Sequence, residues 1–401
     1  MEFLGNYIKH ATHIFMWVAM HHAVLGVPNL DKGYSGSVKS LDVYENNGTI
    51  HLLIATTKEG NDNASLYYTS SSDQGGSWKP YRKIKTSIAP AYARGRGTDF
   101  QIAAFENHVL CVWMQHGKGF MGRGPLSSAI SLDGGGTWRN IGNPADDGSD
   151  GDHAFIDLTA DNKGNFHAVW LDKRSGKNKG LYTAIYNSES NNWMKNRVVD
   201  DKVCDCCWNI IKASQSGSLY ALYRDKAPRD MGLAFSGDYG KSWKTAGPVG
   251  DFNWMIDACI HIGGGLAIQE SNGKTILHAV VWTGNHDVSG LYYLSSKTGA
   301  PTWNKPFKID NVESTLPDIS ISESGTPVVA WINQASGANK LFVGKIRGEN
   351  KELLKTAEIE TELSNPTHPK LLSVGASTLL FWTGRLGNRD VWRHCEVNTV
   401  F

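Results

Sequence analysis

Cys204, Cys206 and Cys207 fall within four residues, and Cys259 follows about fifty residues later. Three chemistries suit that grouping. Cys259 could close a structural disulfide to one of the three, which needs an oxidising compartment. The thiolates could join His153 or His261 in a soft-metal site suited to copper or zinc. One of them could be a reactive thiol. The C-x-C-C spacing is not that of a zinc ribbon, so spacing alone leaves the three readings open. Cys111, inside an apolar strand, and Cys395, near the end, read as thiols with no chemical role.

The second set that could do chemistry is acidic and basic. Asp152, Asp172, Asp225, Asp230 and Asp257 are candidate catalytic carboxylates, because hydrolysis of a glycosidic bond usually takes two carboxyl groups flanking the bond. Arg94, Arg96, His153, Arg174, Arg224, Arg229 and Arg389 are candidate substrate-binding groups, since a guanidinium grips an anion through two parallel hydrogen bonds. The plainer reading of pairs such as Asp172 and Arg174 is that they tie neighbouring loops together.

Elements that could position these residues are visible as a repeat. Ser71 to Trp78, Ser131 to Trp138 and Ser236 to Trp243 all read S-x-D-x-G-x-x-W, and degenerate copies lie near Trp193 and over Ser295 to Trp303. The pattern is a turn device. Asp73, Asp133 and Asp238 can each accept hydrogen bonds from backbone amides of their own turn. The glycine supplies a positive φ, and the tryptophan buries a large ring against a neighbour. Seven apolar runs, beginning at His51, Val109, Phe166, Leu219, Leu277, Pro327 and Leu379, start 50 to 58 residues apart. They alternate with period two and no long helical pattern competes with them. That period suits a four-stranded propeller blade.

The predicted fold is therefore all-β, a β-propeller of four-stranded blades, seven in number or alternatively six, forming one domain over 27–401. The seven apolar runs are read as its inner strands. The last repeat ends soon after its third strand, so closure is expected to use an N-terminal strand near residues 20–30. Propeller geometry places the loops entering the innermost strands, and those between second and third strands, on one face. All the candidate acidic, basic and cysteine residues above fall there. The Asp-containing turns fall on the opposite face. Cys204–Cys207 and Cys259 precede equivalent strands of adjacent blades, so Cys259 is expected within bonding reach of the other three.

With those turns in hand, the chain resembles the sialidase superfamily of Asp-box (BNR) β-propellers, and within it a bacterial group often labelled exo-alpha-sialidase, over roughly residues 40–400. Trp170 to Arg174 is similar to that group's W-x-D-x-R strand end, and Cys204 to Cys207 to its C-x-C-C motif. Tyr223-Arg224-Asp225, Arg229-Asp230 and Trp254 to Cys259 extend the likeness. The resemblance implies a glycan-directed, glycoside hydrolase-like protein with a carbohydrate or glycoconjugate as partner. It does not extend to the sialidase clamp. No Arg-Ile-Pro occurs, no arginine precedes Arg82, and no Tyr–Glu pair is found; Glu270, the nearest candidate, precedes a Ser-Asn-Gly turn. A non-catalytic glycan- or protein-binding propeller is the alternative, and a metal-binding protein using the cysteine cluster a further one.

Composition narrows the partners. Lys plus Arg (40) nearly balance Asp plus Glu (39), so there is no basic excess of the kind that tracks phosphates, and nucleic acid is not expected. The 43 glycines and 14 tryptophans suit many tight turns with repeated aromatic anchors. Residues 1–26 read as a candidate signal peptide, an apolar stretch from Ile14 to Met20 followed by small residues near Gly26, which implies a secreted or periplasmic protein. No stretch is expected to span a membrane as a helix.

Overall fold

The structure, a computed structural model, describes residues 30–86, 90–94, 99–176, 178–271, 273–296, 302–347 and 352–401. The candidate signal segment, the expected closing strand up to residue 29, Arg96, and residues 297–301 of the last degenerate turn lie outside the described residues.

The fold is all-β, with three short 3-10 turns as the only helical elements among the described residues. A nine-stranded sheet comprises two antiparallel four-stranded meanders joined through the two-residue strand Ala91–Tyr92. One meander runs from Ser37–Asn46 to Arg82–Ile84 and the other from Gln101–Phe105 to Arg139–Gly142. Five-, four-, four-, four- and three-stranded sheets follow, opening with Ala154–Ala160, Ile210–Ala213, Gly265–Ser271, Ser314–Ile321 and Ser364–Val374. Each of these seven opening strands contacts the opening strand of the next meander, and the last contacts the first.

The seven apolar runs are strands, but they are the second strand of each meander rather than the innermost. Burial explains the difference. The second strand is covered on both faces by neighbouring sheets: Phe166–Asp172 and Leu219–Arg224 are buried at every position. A strand covered on both faces reads as a continuous apolar run. The opening strands instead face a central space on one side and are only partly buried, as in Ser37–Asn46 and Ser314–Ile321. Their polar, irregular sequences are what the periodicity passes over.

The three S-x-D-x-G-x-x-W segments form one turn, repeated. Ser71 Oγ donates to Asp73 Oδ1 at 2.7 Å and accepts from the Gly75 amide at 2.9 Å, while Asp73 also accepts from Ser77 N (2.8 Å) and Ser77 Oγ (2.6 Å). Asp133 and Asp238 repeat these bonds with Ser131 and Thr137, and with Ser236 and Ser242. Hydrogen bonds of this kind favour the carboxylate, and all three carboxyls are held down to about 2. Each turn joins the third and fourth strands of its meander, and none lines the central space. Two of the tryptophans reach the neighbouring meander. Trp138 stacks edge-on against Tyr68 at 5.4 Å, and Trp78 packs on Trp392 of the last sheet at 5.3 Å.

The last sheet has three strands among the described residues, and side chains hold it to the start of the chain. Arg393 pairs with Asp31, Ser37 Oγ donates to Asp390 at 2.8 Å, and Trp392 Nε1 donates to Tyr81 Oη at 2.8 Å.

Candidate functional site

The opening strands surround a cavity of about 330 Å³, lined by residues from all seven meanders. Its charged lining includes Asp42, Asp99, Asp157, Asp318, Lys39, Lys212 and Lys370, with Trp208, His368 and Tyr44 among its aromatic groups. Three of the aspartates have a structural task. Each accepts a backbone N–H from the opening strand of the next meander: Asp42 from Ile102 (2.9 Å), Asp157 from Ile211 (2.7 Å) and Asp318 from Leu371 (2.7 Å). The same latch thus recurs at three junctions between sheets. Asp99 accepts the Trp208 indole N–H at 2.7 Å, which fixes that ring at the cavity wall.

The cavity perturbs its own acids. Burial pushes Asp99 up to about 6 against the pull of Lys370 and of the Trp208 bond, and pushes Asp42 up to about 6 against Lys370. Burial raises Asp157 as well. For Lys370 burial works toward neutrality, but Asp42, Asp318, Asp157 and Asp99 outweigh it and hold the ammonium above its ordinary value; its Nζ lies 3.6 Å from Asp42.

A pH effect on stability follows from Asp99. Its folded carboxyl keeps its proton above the pH at which the unfolded one ionises, so this group's contribution to stability falls as pH rises from about 4 through about 6. Asn can still accept the Trp208 bond. Asp99→Asn is therefore expected to gain about 2 kcal/mol relative to wild type between pH about 4.5 and about 7.5, read by urea unfolding at both ends. A flat difference would show Asp99 to be solvated like a surface carboxylate.

None of the expected catalytic or substrate-binding residues that the structure describes lines this cavity. Asp172 is buried, and accepts from Trp170 Nε1 (3.0 Å), Arg174 N (2.7 Å) and Arg174 Nε (2.8 Å), with His153 Nε2 at 3.3 Å. Burial alone would raise its carboxyl, but His153, Arg174 and Trp170 outweigh burial and hold it well below the usual range. Arg174 also grips Asp146 at 2.7 Å, and His153 meets Asp147 at 3.2 Å. Burial likewise opposes the charge on His153, yet Asp172 and Asp147 raise it overall. Asp172, Arg174 and His153 thus tie loops together, as the plainer reading of the pair has it.

The other candidates are spread over other loops and strand ends. Asp152, at φ +62°, pairs with Lys179 at 3.0 Å. Asp230 accepts from the backbone N–H groups of Asn253 (2.7 Å) and Trp254 (3.2 Å). Asp225 is raised by burial and bonds the Lys226 amide. Asp257 is fully exposed, 3.7 Å from Arg229. Arg224 is buried and spends its guanidinium on the carbonyls of Ile262, Arg229 and Trp282. Arg94 pairs with Asp62 at 3.6 Å on the surface, and Arg389 lies over the Tyr34 ring.

The cysteines do converge. Cys204 Sγ is 3.3 Å from Cys207 Sγ and 3.8 Å from Cys206 Sγ, all three buried. Cys206 Sγ also forms a triad with Cys259 and His261 in which every donor atom lies within 4.8 Å of the others. All six cysteines are free thiols in this structure. Arg229 Nη1 donates to Cys204 Sγ at 3.3 Å. The neighbouring Cys206 and Cys207 sulfurs and the Arg229 guanidinium favour thiolate at Cys204, while the adjoining thiols push Cys206 up and burial pushes Cys207 up.

Sequence reasoning missed Asp42, Asp157 and Asp318. A signal was present. Leu41-Asp42-Val43, Ile156-Asp157-Leu158 and Pro317-Asp318-Ile319 each put one acid between apolar residues, a few residues ahead of a strong strand.

No family model matches the chain and no curated protein matches it. Solved structures do. A protein of unknown function from Dyadobacter fermentans aligns at TM-score 0.51 and 12% identity, over 90% of this chain and 94% of that one. The NanB sialidase from Streptococcus pneumoniae aligns at 0.52 and 10%, over 92% and 70%. The Trypanosoma rangeli sialidase aligns at 0.50 and 14%, over 78% of this chain and 55% of that one. At these identities the likeness is one of fold, and the chain has a sialidase-like all-β fold.

Proposed function

We propose that this chain is a glycan-directed, sialidase-like propeller whose binding site is the central cavity. The seven meanders are its blades, and the opening strands, touching in sequence round to the first, are its inner ring. The repeated Ser–Asp–Gly–Trp turns are its Asp boxes. The observation that carries the reading is the cavity: carboxylates from several sheets beside a fixed indole, the combination of hydrogen-bond acceptors and a flat apolar face that a sugar ring needs. Asp99 and Asp42, kept partly protonated near pH 6, are the acids from which a hydrolase would draw its proton donor. The non-catalytic reading is favoured by one detail: Asp42, Asp157 and Asp318 each already use an oxygen on a backbone N–H. Residues 1–26 are assigned to export, and amino-terminal sequencing of the mature protein tests that.

A glycan array together with a panel of chromogenic glycosides tests the reading. Retention or turnover of a neutral glycan is expected, lost in Trp208→Ala. If folded wild-type protein retains and cleaves none, the cavity is not a glycan site. Sialic acid release from a fluorogenic sialoside is expected to be absent, because no arginine lies among the described residues of the cavity and a carboxylate clamp needs guanidinium groups. Robust release would overturn that expectation.

A further inference from the structure

Four thiols and an imidazole form two adjoining triads on one side of the molecule, outside the cavity. Cys204, Cys206 and Cys207 lie between the strands Arg197–Val203 and Ile210–Ala213; Cys259 and His261 lie in the loop before Gly265–Ser271. A single disulfide would use two of the four sulfurs, whereas three of them, Cys204, Cys206 and Cys207, stand in mutual contact. The sulfur spacing suits an ion instead. With metal–sulfur bonds of about 2.3 Å, sulfurs at the corners of a tetrahedron or triangle stand about 3.8–4.0 Å apart. Cys204 lies 3.8 Å from Cys206, within that range, and 3.3 Å from Cys207, so the Cys207 sulfur would move outward by about half an ångström on binding. Arg229, buried, aims an N–H at Cys204 Sγ, placing positive charge where a thiolate cluster accumulates negative charge.

We propose that Cys204, Cys206 and Cys207 bind a thiophilic metal ion, Cu(I) in preference to Zn(II), with Cys206 shared toward Cys259 and His261. The preference rests on the donor count. A structural Zn(II) site closes with four ligands in one tetrahedron, whereas here the donors form two triads that share a single sulfur. Soft thiolates select Cu(I), and neither triad includes a carboxylate among the described residues. Cys206, the shared atom, is the donor whose loss dismantles both triads. Cys259, exposed at the rim, marks the side from which an ion enters.

The test uses the full chain, reduced and handled without oxygen. Cu(I) is offered against bicinchoninate and Zn(II) against a zinc-binding dye, with metal content and free thiols counted on the same samples. Wild type is expected to withdraw one Cu(I) from the competitor, with a sulfur-to-copper charge-transfer band and protection of three thiols. Cys206→Ser is expected to weaken retention at least a hundredfold, and Cys259→Ser to weaken it by a smaller factor. If Cys206→Ser fails to fold, judged by circular dichroism, wild-type retention and the Cys259→Ser ratio decide. Failure of folded wild type to hold Cu(I), retention of Zn(II) in its place, or a disulfide among the four cysteines in unreduced protein would each overturn the proposal.

Discussion

Gly135→Ala is expected to destabilise the protein by about 4 kcal/mol, with Gly134→Ala, one residue away, costing about 1 kcal/mol. Both glycines have positive φ, +66° at Gly134 and +90° at Gly135. They differ in what a methyl group would meet. At Gly134 nothing lies within 4 Å, so only the backbone conformation is penalised. At Gly135 a Cβ would stand 1.9 Å from the Tyr68 ring, and that ring cannot withdraw cheaply. Its hydroxyl donates to the Gly134 carbonyl and bonds His51 Nδ1 at 2.8 Å, and its face receives Trp138. The added methyl pushes one meander off the next. Chemical denaturation of the two variants side by side checks this. Equal losses would mean that the cost is in the backbone alone and that the Tyr68 contact is slack.

Asp172→Ala is expected to cost about 3–5 kcal/mol, because it leaves a buried indole N–H without its acceptor and removes the carboxylate shared by Arg174 and His153. Asp172→Asn keeps one acceptor oxygen and is expected to lose less. The acid limb of the stability profile separates charge from shape. A carboxyl held below its unfolded value stabilises the fold above the unfolded pKa of about 4 and gives up that stability as pH falls below it. His153, held above its ordinary value, adds stability below about 6.5 that fades as pH rises. Asp172→Asn should flatten the acid limb and also weaken the contribution from His153. An unchanged pH profile in the Asn variant would mean that Asp146 and Asp147 alone sustain the cluster.

These two sites show why some of the molecule is legible in its residues and some is not. The S-x-D-x-G-x-x-W turn closes its hydrogen bonds within seven residues, so the whole device is written in one stretch of chain. The second strands announce themselves because they are covered on both faces and are mostly apolar, their buried charges Asp172 and Arg224 standing at the strand ends. The opening strands obey two masters: one side packs on a sheet, while the other lines the cavity and supplies Asp42, Asp157 and Asp318 to partners 53 to 60 residues away. A polar residue spent on a distant backbone amide leaves no local pattern. The cysteine convergence was legible because the repeat put Cys259 and Cys204–Cys207 at equivalent places in adjacent units. The roles of Asp230 and Arg224 were not, because whether an acid or a guanidinium meets substrate or backbone depends on what fills the next ångströms.

The junction between the last sheet and the start of the chain has a kinetic meaning. Within each meander, strands adjacent in sequence are adjacent in space, so sheets can form from contacts of short range. The bonds from Asp31 to Arg393, from Ser37 to Asp390 and from Tyr81 to Trp392 join residues more than 300 apart in sequence. Loop-closure entropy must be paid in full before any of them forms. They are therefore expected to form in the final step of folding and to break in the first step of its reversal. Weakening them should leave the refolding rate almost unchanged and shorten the lifetime of the native state, since contacts absent from the transition state act on the unfolding rate alone.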